Sequence, residues 1–270
     1  MNDLTVLKLG GALLTDKRAP DSLRAETLTA VTHEIRACLD AGLLQRLIVV
    51  TGVGSFGHPP VLRYKLHKGF QSPDQLLALT ETQNNVMRLR RAVAEEFQAA
   101  GMPVCLMLPS SCMAASGFAH AESYLTAVAG FLRLGMVPLL GGDVLVDDQV
   151  GFMVYGGDEV AVDLALHFGA DRLILATQVD GIYDKDPQQH PDAQRLPTLS
   201  LNGPGETAVS LDHHPLIDAS GAMAGKLRAI RRAEAALAAG LEVWLISMME
   251  PGRLTAVLQG DPAAGTRVTL

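Results

Sequence analysis

Six short, almost wholly apolar runs return along this chain: Leu4–Leu9, Leu47–Thr51, Pro103–Leu108, Val137–Leu140, Arg172–Thr177 and Glu242–Ile246. Between them apolar residues recur at helical spacing, as in Leu28, Val31, Ile35 and Leu39, in Leu79, Val86, Val93 and Phe97, and in Met223, Leu227, Ile230 and Leu237. A strand that is apolar on both sides must be covered on both sides, and an intervening helix lets consecutive strands pair in parallel. The pattern predicts an α/β fold: a three-layer αβα sandwich around a mostly parallel central sheet. The rhythm breaks at 142–155, where DVLVDDQVGFMVY predicts a β-hairpin turning through Asp147, Asp148 and Gly151. The Pro-, His- and Gly-rich stretch Pro187–Pro215 predicts a long surface excursion. Neither repeats nor linker composition divide the 270 residues, so we expect a single domain over 1–270 built as two lobes.

Charge and cysteine content narrow the function classes. A net charge of -7 argues against a nucleic-acid partner, which a basic surface would serve. Apolar runs of membrane-spanning length and a secretory leader pattern are both missing, so no membrane partner is expected. Cys38, Cys105 and Cys112 are odd in number and lack C-x-x-C spacing; we expect small buried apolar residues in a reducing, cytoplasmic protein. The histidines show no metal spacing such as H-E-x-x-H, the adjacent His213–His214 read as a solvated loop, and no protein-held metal is expected. The stretch SFGHP lacks the G-x-S-x-G of a hydrolase elbow.

Glycine turns carry the remaining signal, and two of them mislead. In TGVGSFGHPP (51–60), Gly52, Gly54 and Gly57 spell G-x-G-x-x-G after a strand. A dinucleotide site also demands a helix at once and an acid at the end of the next strand. Here Pro59 and Pro60 follow, and Asp74 and Glu81 lie in helical sequence. GAMAGKL (221–227) imitates a P-loop, but its first glycine is one residue too close and Leu227 replaces the hydroxyl. What survives is a repeated design. Lys8 precedes Gly10–Gly11, with Lys17 just beyond; Gly52–Gly57 leads into His58; Gly156–Gly157–Asp158 opens a helix; Lys226 lies early in another. Each is unremarkable alone. Together they set bare backbone N–H groups and cations at the carboxyl ends of strands, where open α/β sheets bind anions.

In chain order, KLGGALLTDK (8–17), TGVGSFGHP (51–59), YKLHKGF (64–70), GGDVLVDD (141–148), GGDEVAVDLA (156–165), TQVDGIYDKDP (177–187) and SGAMAGKL (220–227) resemble the amino acid kinase superfamily, and within it the isopentenyl phosphate kinase branch. The resemblance implies the amino acid kinase fold, a homodimer, ATP with Mg²⁺ as donor, and a small phosphomonoester acceptor. The acceptor implied by the resemblance is isopentenyl phosphate, with dimethylallyl phosphate expected as a related substrate. It further implies an acceptor-binding lobe at about 1–170 and a nucleotide-binding lobe at about 171–270. By resemblance, Lys8 and Lys226 bind ATP phosphates, Lys17 stabilises the transition state, His58 binds the acceptor phosphate and Asp158 orients the lysines. Gly10, Gly11, Ala12, Gly54, Thr177, Asp180, Tyr183 and Ala222 would lie along the nucleotide, and Val53, Gly54 and Gly157 along the acceptor.

Four positions depart from the branch pattern: Thr51 replaces a histidine, Val53 and Ala222 replace glycines and Ala12 replaces a serine. Valine keeps its N–H, but its branched side chain restricts positive φ. We expect Leu79, Thr82 and Gln83, within 70–86, and Met153 to line a short apolar pocket for the acceptor tail. A fosfomycin kinase of the same fold, and a nucleotide-binding protein without turnover, stay open as alternatives.

Overall fold

The computed structural model describes residues 3–16, 18–185, 190–202 and 222–270. The first part of the chain runs β1 (Leu4–Leu9), α1 (Gly11–Leu14), α2 (Ala25–Asp40), β2 (Arg46–Thr51), α3 (Gly54–Arg63) and α4 (Gln75–Ala99). Next come β3 (Val104–Leu106), β4 (Met113–Ser116), β5 (Ala119–Ser123), α5 (Thr126–Arg133), β6 (Val137–Gly141), β7 (Asp143–Asp147) and β8 (Gly151–Tyr155). The chain continues through α6 (Gly157–Phe168), β9 (Arg172–Thr177), β10 (Ile182–Tyr183), β11 (Arg195–Leu196) and β12 (Thr198–Ser200). It closes with α7 (Ala222–Arg231), α8 (Glu234–Ala238), β13 (Glu242–Ser247), α9 (Arg253–Leu258) and β14 (Gly265–Thr269).

Among the described residues, eight strands form one sheet in the order β12-β14-β13-β9-β1-β2-β6-β3, parallel throughout except for the β13–β14 pair. The two-residue period of each strand divides its side chains between two cores. On β1, Leu4 and Val6 enter a cluster with Val128 and Leu132 of α5, Val160 and Leu164 of α6, and Leu227 and Ile230 of α7. Leu7 and Leu9 enter the opposite cluster, with Leu28, Val31 and Ile35 of α2, Leu89 and Val93 of α4, and Leu254 and Val257 of α9. These are the three predicted layers. The same alternation turns Lys8 toward the α5–α6–α7 side. All three thiols are free; Cys38 and Cys112 are buried and Cys105 is half-buried.

Four local expectations need correction. Helix α3 starts at Gly54 and runs through Pro59 and Pro60, so a helix does follow the glycine turn directly. The prolines cannot donate to the carbonyls of Ser55 and Phe56, and the helix closes at its C-terminus with Tyr64 N–H on Pro60 O at 3.0 Å. Secondly, the predicted β7–β8 hairpin is one half of a four-stranded sheet, β5-β4-β7-β8. The other half, MAASGFAHAES (113–123), has little alternation to announce it. Asp147 ties both turns together: its carboxylate accepts N–H bonds from Gly117, Phe118, Gln149 and Val150 at 2.8–3.0 Å. Thirdly, the expected excursion is structured in part, since β11 pairs with β10 and β12 pairs with β14 at the sheet edge. Residues 203–215 of that stretch, with His213–His214, lie outside the described residues. Finally, the 223–237 periodicity belongs to two helices, α7 and α8, with Arg232 and Ala233 between them.

Candidate active site

Strands β1 and β2 end in register, Leu9 opposite Thr51, so the loops leaving them start side by side. From β1 the chain proceeds to β2 on one side, while β9 lies on the other. This is the switch point at which open α/β sheets form a crevice. The loops are packed so closely that side chains are excluded: a Cβ at Gly11 would meet Gly54 N at 2.4 Å, and one at Gly52 would meet Gly11 N at 2.4 Å. The third loop joins them, since a Cβ at Gly157 would meet Thr51 O at 2.7 Å. Thr15 stitches the first two together, accepting from Ser55 N–H at 3.0 Å and donating to Gly11 O at 2.7 Å.

Gly54 carries the positive φ of the second loop, +47°, whereas Val53 sits at φ −91°, ψ −21°. The restriction expected from valine therefore does not act here. Its side chain is accommodated by Gly57, where a Cβ would come within 2.6 Å of Val53 Cβ. His58 follows on α3, half-buried. Gly10 donates to Ala176 O at 2.7 Å, and Ala12 is half-buried in α1.

Into this junction project three charges from distant parts of the chain. Lys8 Nζ lies 2.7 Å from Asp158 Oδ1, and Lys226 Nζ lies 3.0 Å from Asp158 Oδ2. Asp158 stands in the first turn of α6, where the helix dipole favours a carboxylate. Lys8 and Asp158 are only 4% and 6% exposed, which makes their protonation a matter of local charge. Burial pulls the Lys8 ammonium down to about 8, although Asp158 opposes the shift. Burial would also raise Asp158, but Lys226 and Lys8 outweigh it and hold the carboxyl well below its usual range. Asp158 thus faces two cations across the crevice. Lys17 lies outside the described residues, as does the side chain of Ala222.

Beside the junction, Thr177 ends β9, buried, and Tyr183 donates to Asp180 Oδ1 at 2.6 Å. Arg195 holds Asp180 from the other side at 3.6 Å. Asp180 and Tyr183 line a cleft of about 290 Å³ with Gln178, Ser247, Met249 and Arg253. Sequence reading overlooked the last three, although Ser247 ends the neighbouring parallel strand β13 and was accessible to the same strand-end rule.

An apolar groove of about 430 Å³ lies on the other side, between α4 and the β7–β8 hairpin, lined by Phe70, Leu76, Leu79, Gln83, Val144 and Phe152. Val144, Phe152 and Leu79 share a cluster with Val61, three residues beyond His58 on α3. Leu79 and Gln83 are where the tail pocket was expected; Thr82 and Met153 are not. Thr82 is buried with its hydroxyl on Ala78 O, and Met153, paired with Leu145, points into the main core. Period two in β8 gives the groove to Phe152 instead.

Similarity to known proteins agrees with this geometry. The family model for the amino acid kinase family matches residues 3–247. The chain belongs to that family. Among curated relatives, an isopentenyl phosphate kinase of Methanothermobacter thermautotrophicus is 31% identical, the match covering 98% of this chain and 99% of the relative. One of Methanocaldococcus jannaschii is 29% identical over 85% of this chain and 87% of the relative. A crystal structure of an isopentenyl phosphate kinase superimposes with a TM-score of 0.82 at 29% identity, covering 98% of this chain and 100% of that one. Within this family the glycine loop that spells G-x-G-x-x-G is packed against Gly11 of the first loop.

Proposed function

We propose that this kinase transfers the γ-phosphoryl group of ATP to isopentenyl phosphate, forming isopentenyl diphosphate. The observation that carries the reading is the Lys8–Asp158–Lys226 array at the meeting point of three glycine loops. Nearly full-length similarity to isopentenyl phosphate kinases supports the acceptor.

The chemistry asks mainly for charge. Two unit like charges 4 Å apart repel by about 4 kcal/mol at an effective dielectric near 20, and several such pairs approach when a phosphate dianion meets ATP. Lys8 and Lys226, steered by Asp158, would hold the ATP phosphates, and Lys17 the transferring group. His58 and the N–H groups of Val53, Gly54 and Gly157 would hold the acceptor phosphate, already ionised near neutral pH, so no strong base is needed. Gly10, Gly11, Ala12 and Ala222, with Thr177, Asp180 and Tyr183, would lie along the nucleotide.

Magnesium fits as an ion carried by the nucleotide. Among the described residues no group of three or more His, Cys, Asp or Glu gathers, and Asp158 already faces two lysines. Bound to the phosphates, Mg²⁺ would offset part of their charge. The groove beside α4 would take the five-carbon tail, burial of which contributes about 3–4 kcal/mol at about 0.8 per CH₂. The two lobes, about 1–170 for the acceptor and 171–270 for the nucleotide, would act in a cytoplasmic homodimer. Among the described residues no helix is long and apolar enough to cross a membrane.

ADP release with MgATP and isopentenyl phosphate, dimethylallyl phosphate, fosfomycin or no acceptor tests the reading. Turnover on the prenyl phosphates alone is expected. Turnover on fosfomycin would overturn the acceptor, and ATP binding without turnover on any of them would leave a nucleotide-binding protein.

A further inference from the structure

Helices α6 and α7 are joined twice. The first rung is Asp158–Lys226, in the active site. The second lies five residues along α6 and six along the chain from Lys226. There Arg232, the residue that follows α7, donates through Nη2 to Asp163 Oδ1 and through Nη1 to Tyr155 Oη at 3.0 Å. The Tyr155 hydroxyl donates to the other oxygen, Asp163 Oδ2, closing a three-membered network. His120 of β5 flanks it, with Nδ1 3.5 Å from Asp163 Oδ2, its ring stacked on Tyr155 and its Nε2 2.7 Å from Ser123 Oγ.

The acceptor side of the network is expensive where it stands. Tyr155 and Asp163 are 4% and 7% exposed, and Tyr155 belongs to the core cluster that also holds Val160, Leu227 and Ile230, while the Arg232 side chain reaches in from the surface. Apolar residues of similar volume would stabilise such a place as well as an ion pair does. What a charged fork adds is geometry. A planar guanidinium that binds two different acceptors fixes both distance and angle. Five residues of helix advance about 7.5 Å, so the two rungs set the slide and rotation of α7 against α6, where one would leave a pivot. Lys226, on a flexible stem, depends on that setting to meet Asp158. Tyr155 also directly precedes Gly156–Gly157, so the network reaches the third glycine loop.

We propose that Arg232, Asp163 and Tyr155 are positioning residues for nucleotide binding, holding α7 so that Lys226 is presented to the ATP phosphates. The proposal rests on the nucleotide role of Lys226 given above, and a double-mutant cycle separates the two. MgATP dissociation constants would be measured for the full-length protein, Arg232→Met, Lys226→Met and the double variant, with the KM for isopentenyl phosphate followed in parallel. We expect Arg232→Met to weaken MgATP about tenfold, as couplings of this class do, with acceptor KM changed less than about twofold. The same substitution should do nothing further once Lys226 is methionine, and Arg232→Lys should recover part of the affinity. An equal loss from Arg232→Met in both backgrounds, or no loss at all, would overturn the positioning role while leaving Lys226 in place. Normal MgATP affinity of Lys226→Met would overturn the nucleotide role and the proposal with it. If Arg232→Met does not fold, Tyr155→Phe, which removes a single hydroxyl, runs the same cycle with the same outcomes.

Discussion

Lys8 titrates close to neutrality because its strand buries it, and that gives the site a pH dependence. In the free protein it loses its proton around pH 8, whereas ATP phosphates favour the charged form. ATP binding should therefore take up a proton at pH 8–9, and affinity should fall as pH rises through that range. Calorimetry in two buffers of different ionisation enthalpy would show it, and buffer-independent heats would contradict it. For folding, the lowered value acts oppositely to a stabilising pair. Between about 8 and 10.5 the unfolded chain holds more protons, so the Lys8 penalty, full below pH 8, is relieved as pH rises. Asp158 is the counter-charge for two lysines, and Asp158→Asn leaves both facing each other in a buried site. We expect a loss of about 3 kcal/mol in stability, measured by denaturant unfolding without ATP. The three side chains were each legible as candidates, and their meeting only through the resemblance: 150 and 68 residues separate them along the chain, and the packing of β1, α6 and α7 brings them together.

Helix α3 shows how an element can carry a site against its own propensities. It contains two prolines and two glycines, yet it holds the second glycine loop and His58. Gly57 is needed because Val53 and Val86 fill the space beside it, where an added Cβ would approach Val53 Cβ at 2.6 Å and Val86 Cγ2 at 3.1 Å. Gly57→Ala should accordingly destabilise the protein by about 1–3 kcal/mol, the range for overpacking, and weaken acceptor binding. Removing the partner atoms, as Val53→Gly in the Gly57→Ala background, should restore part of the stability in thermal melts; no recovery would mean that the clash lies elsewhere. The β4–β5 hairpin escaped sequence reading for a related reason. Its strands are short and rich in Ala and Ser, and its turn is fixed by Asp147 from a different hairpin, a partner that no local pattern announces.

Across the whole molecule, the last strand completes the sheet from inside: β14 lies between β12 and β13, with Thr266 and Val268 buried. Removing residues 265–270 would leave β13 paired only with β9 and detach β12, and burial of Val268 alone accounts for about 2 kcal/mol. A clear drop in Tm is expected for that truncation, and an unchanged Tm would mean that the edge contributes little. By itself the sequence determined the layers, the parallel order of strand and helix, and the residue types at the strand ends, because periodicity and glycine usage are local properties. Which strand ends meet was decided only in the tertiary structure. The sheet order places β9 and β2 on either side of β1, and that order arises from packing between residues far apart in the chain. The same holds for the groove, where the pairing of β7 with β8 assigned Phe152 and not Met153, and for the second rung between α6 and α7. Charge pairing, cleft shape and helix register are properties of distance, and distance between remote residues is set by the fold.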